Sequence, residues 1–252
     1  MQDQIIINNN LISYSQFETG ERAVLFLHGW RSQKEVWDSV IRKLLVKNNQ
    51  LPVYSVDLPG FGGSPTPSKV FSVQDYAEVV KGYIEKLNLK NVIIVGHSFG
   101  GRVGIKLASQ YPLILFKLVL VDAAGFVQKG RRELLFNLIA RLVRPFFKPK
   151  FMQSLRKRIY KLIGADDYLS NPELRETFLN TINEDLTEDM KRISCPTLII
   201  SGENDKDTPV EYGKRMNFLI PNSKFIILKN AGHFSFIDQP EEFIKELVSF
   251  IS

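Results

Sequence analysis

The sequence predicts an α/β domain with a mostly parallel central sheet, helices on both faces and a helical insertion. Short apolar runs typical of buried strands recur along the chain, and amphipathic helical patterns separate them. A third observation is that residues 125–190 contain no strand pattern at all. Alternating strands and helices are typical of doubly wound sheets, so we interpret the interrupted stretch as a lid inserted into one domain.

The predicted strands begin with a hairpin, because residues 4–8 and 11–17 flank an Asn-rich turn. The later runs are rich in Val, Ile, Leu or Phe and end at Gly, Asp or Ser. They span residues 23–28, 53–57, 91–96, 117–122, 196–201 and 225–228. Their apolar character is continuous rather than alternating, which indicates strands buried on both faces and therefore a parallel sheet.

Helical spacing of apolar residues predicts helices between these strands and at the C-terminal end. The core helices are predicted over residues 35–46, 73–87, 102–110 and 240–251. The insertion is predicted to hold helices over residues 131–144, 150–163, 172–183 and 184–191. We therefore expect a core formed by residues 1–124 and 191–252, with a helical lid over residues 125–190.

Composition narrows the class of protein. The chain has 252 residues and a formal net charge of +6, and its single cysteine, Cys195, excludes an intramolecular disulfide. It contains neither an apolar run long enough for a transmembrane helix nor the pattern of a signal peptide, so a cytoplasmic location is expected. The positive charge lies mainly in the insertion and no nucleic-acid-binding motif accompanies it, which argues against a nucleic-acid partner.

The segment Gly96-His97-Ser98-Phe99-Gly100 lies between a predicted strand and a predicted helix. A sharp strand-to-helix turn would strain the serine backbone and raise its hydroxyl above the sheet edge. Side chains at the two glycine positions would collide with neighbouring backbone. The segment therefore predicts Ser98 as a nucleophile; a plain glycine-rich turn is the alternative.

A serine hydroxyl needs a base to accept its proton, and the chain contains three histidines. His233 follows the last strand, where open α/β sheets gather their sites, and it is the predicted general base. His28 and His97 are interpreted as packed histidines that border the substrate pocket.

The base in turn needs a carboxylate to orient it, and the loop after the penultimate strand offers three: Glu203, Asp205 and Asp207. We predict Asp205, because Pro209 marks the start of the next helix four residues later. Asp207 is the alternative.

The predicted oxyanion hole consists of two backbone N–H groups. One belongs to Phe99, directly after the nucleophile, and the other to Trp30, in the loop after the strand over residues 23–28. Such donors stabilise the charge that develops during acyl transfer. This chemistry requires no metal ion and no organic cofactor.

With these residues identified, the chain closely resembles the α/β-hydrolase superfamily over nearly its whole length. The resemblance is carried by the segments at residues 27–30, 56–64, 96–101, 202–209, 231–233 and 240–243. It implies the α/β-hydrolase fold with a helical lid and the chain order nucleophile, acid, histidine. A serine at position 98 argues against the epoxide hydrolase and haloalkane dehalogenase branches, which use an aspartate there.

Within the superfamily, residues 28–30, 35–37 and 57–62 resemble the esterases that cleave the methyl ester of pimeloyl acyl-carrier protein. The departure lies beside Ser98, where those esterases more usually have a tryptophan and a leucine. Similar segments occur in lactonases, aryl esterases and C–C bond hydrolases, so the subfamily stays open.

The insertion is strongly basic over residues 129–161 and acidic over residues 166–189. Two solvated helix faces that neutralise each other would explain the charges; a surface for an acidic carrier protein or an anionic membrane is the alternative. Apolar residues at helical spacing would line an acyl pocket or pack the lid onto the core. The predicted substrate contacts are His28, His97, Phe126, Leu138, Leu142 and Phe234.

The sequence thus predicts a carboxylesterase that acts on a small-molecule ester through Ser98, His233 and Asp205. A lactonase, a C–C bond hydrolase or an acyl-carrier-protein methyl ester esterase would use the same residues. A ligand-binding receptor on a hydrolase frame is the alternative from a different class.

Overall fold

The computed structural model describes residues 2–18, 22–47, 51–127 and 172–252. Its centre is an eight-stranded sheet in the order β1-β2-β4-β3-β5-β6-β7-β8. The strands are β1 (Gln2–Ile7), β2 (Asn10–Phe17), β3 (Arg22–Leu27), β4 (Val53–Val56), β5 (Lys90–His97), β6 (Leu115–Val121), β7 (Thr197–Gly202) and β8 (Ser223–Leu228). Only the pairs β1–β2 and β2–β4 are antiparallel. The predicted α/β architecture with a mostly parallel sheet is confirmed.

The described helices follow the predicted order. They are α1 (Asp38–Lys47), α2 (Val73–Lys86), α3 (Phe99–Gln110), α4 (Arg175–Ile182), α5 (Thr187–Lys191), α6 (Val210–Leu219), α7 (Ser235–Asp238) and α8 (Pro240–Ile251). The helix predicted over residues 35–46 starts instead as a 3-10 turn, Lys34–Trp37, before α1. Helix α6 begins after Pro209, at the start that this proline predicts.

The predicted insertion is described only at its two ends, over residues 125–127 and 172–190. There, α4 and α5 occupy the segments where helices are predicted over residues 172–183 and 184–191. The predicted helices over residues 131–144 and 150–163, the basic surface and the contacts Leu138 and Leu142 lie outside the described residues. The lid boundaries at residues 125 and 190 stay a prediction.

Alternate residues of the central strands pack on opposite faces of the sheet. In β3, Leu25 and Leu27 belong to one apolar cluster, whereas Val24 and Phe26 belong to the other. The first cluster includes side chains of α2 and α3, and the second includes side chains of α1 and α8. Because both faces are covered, the central strands are apolar along most of their length, which explains the continuous pattern in the sequence.

The carboxyl ends of the parallel strands meet at one edge of the sheet. Ser98 follows β5, Asp122 follows β6, Asp205 follows β7 and His233 follows β8. Sites in open α/β sheets form at this edge. Within the described ranges, no helix is both long and apolar enough to cross a membrane.

Candidate active site

Ser98 occupies the turn that joins β5 to α3, with φ 49° and ψ −107°. This positive φ is costly for a residue with a side chain. Glycines make the turn feasible: a Cβ at Gly96 would lie 2.5 Å from the Gly100 carbonyl oxygen, and one at Gly100 would lie 2.4 Å from the Leu27 carbonyl oxygen. The Ser98 N–H donates to the Val121 carbonyl at 3.0 Å, which holds the turn against β6.

His233 lies on the loop between β8 and α7, and its Nε2 is 3.1 Å from the Ser98 Oγ. Three contacts hold this loop. The His233 carbonyl accepts from His97 Nε2 at 2.7 Å, the Gly232 N–H donates to Asp238 at 2.8 Å, and the Ser235 N–H donates to Asp122 at 3.0 Å. The backbone at His233 and on either side of it is therefore held in place, which fixes the position of the His233 ring.

Asp205 completes the row of three side chains. Its Oδ2 is 2.9 Å from His233 Nδ1 and accepts from the Thr208 hydroxyl at 2.7 Å. Its Oδ1 accepts the backbone N–H groups of Asp207 and Thr208 at 2.8 and 3.0 Å. Every carboxylate oxygen thus has a donor, so Asp205 can stay ionised although it is buried.

The pKa values of Asp205 and His233 shift in opposite directions. Burial alone would raise the pKa of Asp205, but the hydrogen bonds from His233 and Thr208 outweigh burial and hold it below its usual value. Burial would lower the pKa of His233, but the bond to Asp205 and the Asp205 charge outweigh burial and raise it. A carboxylate beside an imidazole favours the imidazolium, which is what proton acceptance by His233 requires.

The other two acids of the loop lie elsewhere. Asp207 is exposed at the mouth of the cavity, and Glu203 accepts the Asn230 N–H at 3.0 Å. Asp205, Asp207 and His233 are the one group in the described ranges with ligand atoms close enough for a metal ion. His233 Nδ1 and Asp205 Oδ2 are already hydrogen-bonded to each other. These two atoms therefore suit proton transfer better than the binding of a metal ion.

His97 borders the cavity and contacts His233, with ring centroids 4.8 Å apart. Burial, with the His233 charge as a second cause, lowers the pKa of His97 to about 3. The neutral ring donates through Nε2 to the His233 carbonyl, and its buried Nδ1 has no hydrogen-bond partner. His97 therefore supports the loop of His233 as well as forming part of the wall.

His28 does not contact the cavity, contrary to the predicted substrate contact. It is fully buried, its Nδ1 donates to the Gly29 carbonyl at 2.7 Å, and its Nε2 accepts the Leu58 N–H at 3.0 Å. Both ring nitrogens are used by the backbone, so His28 fixes the loop that carries Trp30. Burial lowers the pKa of His28, in keeping with a neutral ring.

Trp30 and Phe99 line the same cavity as Ser98, and their rings are 5.1 Å apart. Phe99 is the first residue of α3, so its N–H has no acceptor within the helix. Trp30 follows Gly29, where a Cβ would lie 2.8 Å from His97 Nδ1. Glycine at position 29 thus lets the loop of Trp30 approach the nucleophile turn closely.

The cavity above Ser98 has a volume of about 670 Å³. The predicted contacts Phe126 and Phe234 line it, together with Phe178 and Tyr212, which the sequence analysis did not identify. Apolar and aromatic walls around a few polar groups are typical of sites for small organic molecules.

Sequence reasoning missed two supports of the site, Thr208 and Asp122. The Thr208 hydroxyl contacts Asp205, and lies 2.9 Å from the Asp122 carbonyl oxygen and 3.4 Å from His233 Nδ1. Asp122 accepts the Gly202 and Ser235 N–H groups at 2.7 and 3.0 Å, and burial raises its pKa to about 7. The signal for Asp122 was available, because an aspartate directly after a buried strand reaches the site edge.

Comparisons with known proteins agree with this geometry. The Alpha/beta hydrolase family matches residues 24–246. The chain is similar to the uncharacterized hydrolase YugF of Bacillus subtilis (strain 168), with 27% identity over 95% of this chain and 94% of that protein. It is similar to the monoacylglycerol lipase ABHD6 of Mus musculus, with 30% identity over 91% of this chain and 75% of that protein.

A similar solved structure is the esterase EaEST from Exiguobacterium antarcticum. It matches 100% of this chain and 99% of its own with a TM-score of 0.79 and 23% identity, which shows a shared fold. Since the family match extends over most of the sequence and the core has the same architecture, this protein is a hydrolase of the alpha/beta hydrolase family, built on the α/β-hydrolase fold.

Proposed function

We propose that this hydrolase is a carboxylesterase that works through an acyl-enzyme on Ser98. The observation that carries the proposal is the continuous chain of contacts from the Ser98 hydroxyl through His233 to Asp205, at 3.1 and 2.9 Å. Both distances are those of hydrogen bonds. Among the described residues, Ser98 provides the hydroxyl within hydrogen-bond distance of His233 Nε2.

In the first half of the reaction, His233 accepts the Ser98 proton while the Ser98 oxygen attacks the ester carbonyl carbon. The carbonyl oxygen becomes an oxyanion, for which the Phe99 and Trp30 N–H groups are the proposed donors. The imidazolium, stabilised by Asp205, then donates its proton to the leaving alcohol. Each well-placed donor is worth about 3 kcal/mol of barrier.

In the second half, water replaces the alcohol. His233 accepts a proton from the water as its oxygen attacks the acyl carbon, and the acid leaves when Ser98 regains its proton from His233. The aromatic wall formed by Phe126, Phe178 and Phe234 suits an acyl group of small to medium size. The similarity to a monoacylglycerol lipase, an enzyme named for an ester substrate, supports ester hydrolysis.

Turnover of p-nitrophenyl butyrate tests the proposal. We expect Ser98→Ala to lower kcat/KM by at least about 10³-fold, because removal of the nucleophile leaves only binding and oxyanion stabilisation. Ser68→Ala is the matched control, since Ser68 is exposed on the loop between β4 and α2. Equal slow hydrolysis by wild type and Ser98→Ala would refute the enzyme assignment.

The bond cleaved needs its own measurement. A panel of straight-chain esters, a γ-lactone and a vinylogous diketone would be compared at equal concentration with wild type and Ser98→Ala. We expect the esters to give the highest kcat/KM. A clear preference for the lactone or the diketone would overturn the carboxylesterase assignment while leaving serine chemistry in place.

A further inference from the structure

We infer that Arg102 recognises the substrate by binding a carboxylate, so that the preferred substrates are esters that carry a negative charge on the acyl part. The inference rests on the proposed ester hydrolysis and adds the substrate class. It is carried by a buried guanidinium group in the wall of the catalytic cavity that forms no ion pair with a carboxylate of the described residues.

Arg102 lies one helical turn after Ser98 on α3, and its N–H donates to the Ser98 carbonyl at 3.3 Å. It lines the same cavity as Ser98 and Phe99. Although arginine has a long side chain that usually reaches solvent, Arg102 is only 3% exposed. Its guanidinium group is therefore shielded from bulk solvent.

The guanidinium group has few protein partners. One terminal nitrogen donates to the Glu184 backbone carbonyl, and the buried Nε has no hydrogen-bond partner in the part of the chain that the structure describes. The ion pairs of the described residues include none with Arg102. Burial lowers the pKa of Arg102 to about 10, which still leaves it charged at neutral pH.

The nearest acids are engaged elsewhere. One Glu184 oxygen pairs with Lys106 at 2.8 Å and the other accepts the Val73 N–H at 3.3 Å. Asp185 accepts N–H groups of Val127 and Thr187 at 3.4 and 2.9 Å. The charges of both acids favour the protonated guanidinium group, but neither carboxylate forms an ion pair with Arg102.

Lys106, the next cation along α3, provides an internal comparison. It pairs with both Glu184 and Asp189, at 2.8 Å each, and does not line the cavity. Two buried cations on one helix thus differ in their surroundings: within the described ranges, Lys106 forms ion pairs and Arg102 forms none. A buried charge without a partner is costly, and such groups concentrate at functional sites.

A carboxylate is the ligand that this arrangement fits. The planar guanidinium fork matches a carboxylate with two parallel hydrogen bonds. Among the described lining residues, Arg31 and Lys206 are also cationic and Asp207 carries a carboxylate. Arg102 and Ser98 line one cavity, so an anion bound by Arg102 would share that cavity with the carbonyl that Ser98 attacks. Half-esters of short dicarboxylic acids meet this requirement.

The test compares monomethyl glutarate with methyl pentanoate, which has a similar length and no charge. The readout is the ratio of their kcat/KM values within one enzyme preparation, which cancels any loss of folded protein. We expect wild type to favour the half-ester by roughly tenfold or more, Arg102→Met to lower the ratio about tenfold, and Arg102→Lys to retain part of it. Arg42→Met is the matched control, because Arg42 is exposed on α1 and does not line the cavity. We expect it to keep the wild-type ratio.

A ratio near one in wild type, or the same ratio in Arg102→Met, would overturn the inference. Binding of glutarate to Ser98→Ala by calorimetry separates it from the proposed function, since this readout needs no turnover. We expect glutarate to bind Ser98→Ala and to lose at least about tenfold in affinity when Arg102→Met is added. Equal affinity in both would refute the carboxylate site, whereas failure of wild type to cleave either ester would refute the esterase.

Discussion

Two histidines in ring contact show how the site assigns opposite roles to one side chain. His233 and His97 are 4.8 Å apart, yet the pKa of His233 is raised and that of His97 is lowered to about 3. The difference follows from their partners: Nδ1 of His233 meets the Asp205 carboxylate, whereas Nδ1 of His97 meets no acceptor or donor. One ring can accept a proton, and the other remains a neutral support.

Asp205→Asn tests the role of the carboxylate through the pH dependence of kcat/KM. His233 acts as a base only when neutral, so activity rises as pH increases through its pKa. Because Asp205 raises that pKa, the variant should show its rise at lower pH, with kcat/KM lower by about 10³–10⁴-fold. Asp207→Asn is the matched control, with a smaller shift in the same direction. A rise that stays at the wild-type pH in Asp205→Asn would contradict the assignment.

His97→Gln tests the neutral state of the buried ring. Unfolding lets His97 bind a proton near its ordinary pKa of about 6.5, whereas the folded ring resists protonation down to a pKa of about 3. The unfolded state therefore binds more protons between these values, and stability falls as pH falls through this window.

Denaturant unfolding at pH 6 and pH 4 measures the effect. Wild type should lose roughly 2–3 kcal/mol more of its free energy of unfolding between these pH values than His97→Gln loses. All other groups are common to both proteins, so their contributions cancel in the difference. Equal losses in the two proteins would contradict a lowered pKa of His97 in the folded state.

At the scale of elements, loops rather than helices carry the site, and buried carboxylates hold the loops. Asp122 binds the end of β7 and the start of α7 through Gly202 and Ser235. Asp57, after β4, accepts the N–H and the Nζ of Lys34 at 2.7 and 2.8 Å. Each carboxylate joins segments that are distant in sequence, which keeps the loops in register above the sheet.

Lys34→Met tests the second of these anchors. Lys34 and Asp57 are both buried, so removal of the cation leaves a buried carboxylate without its counter-ion. We expect the free energy of unfolding to fall by about 3–5 kcal/mol. Lys81→Met, which breaks a surface ion pair with Glu85, should change it by only about 0.5 kcal/mol. Equal small effects in urea unfolding would show that the Lys34 pair does not hold the loop.

The elements also show what local sequence can predict. The strands and core helices can be predicted from the spacing of apolar residues. A strand buried on both faces has a continuous apolar run, and a helix buried on one face has apolar residues at helical spacing. The start of α1 as a 3-10 turn does not, because Lys34 and Trp37 are placed by contacts with Asp57 and Phe236, which lie far away in the sequence. Thr208 was missed for the same reason, as its partners belong to three different loops.

On the scale of the whole molecule, the sheet separates two apolar cores of different composition. The side of α1 and α8 centres on Trp37, which stacks on Phe236 with ring centroids 4.2 Å apart. Phe236 lies 5.2 Å from His97, so this core supports the catalytic edge directly. Packing of the core and geometry of the site are therefore linked through one aromatic cluster.

Phe236→Ala tests this link. Phe236 is 1% exposed, so its truncation should lower the free energy of unfolding by about 3–5 kcal/mol. Phe218→Ala is the matched control, because Phe218 is 86% exposed on α6 and should change stability by less than about 0.5 kcal/mol. Comparable losses for the two variants in denaturant unfolding would contradict the described packing.

At the scale of the whole molecule, the predictable features are those whose sequence motif requires a particular backbone geometry. Three residues at positions 98, 205 and 233 could be brought together because each follows a strand of one parallel sheet. The surroundings of Arg102 and the true position of His28 could not be predicted, because they depend on which backbone groups approach from Glu184, Gly29 and Leu58. Sequence patterns predict at which edge of the sheet a residue lies. Its neighbours depend on contacts with residues that are distant in the sequence.

Intact-protein mass spectrometry after rapid mixing with p-nitrophenyl acetate tests the central claim most directly, because it detects the covalent intermediate itself. The account predicts a mass increase of one acetyl group, which peptide mapping locates on Ser98 and which disappears as water hydrolyses the acyl-enzyme. Any acetyl-enzyme that forms in His233→Ala should persist longer, because the variant lacks the base that activates water. An unmodified Ser98 during active turnover, or an acetyl group on another residue that turns over at the catalytic rate, would contradict it.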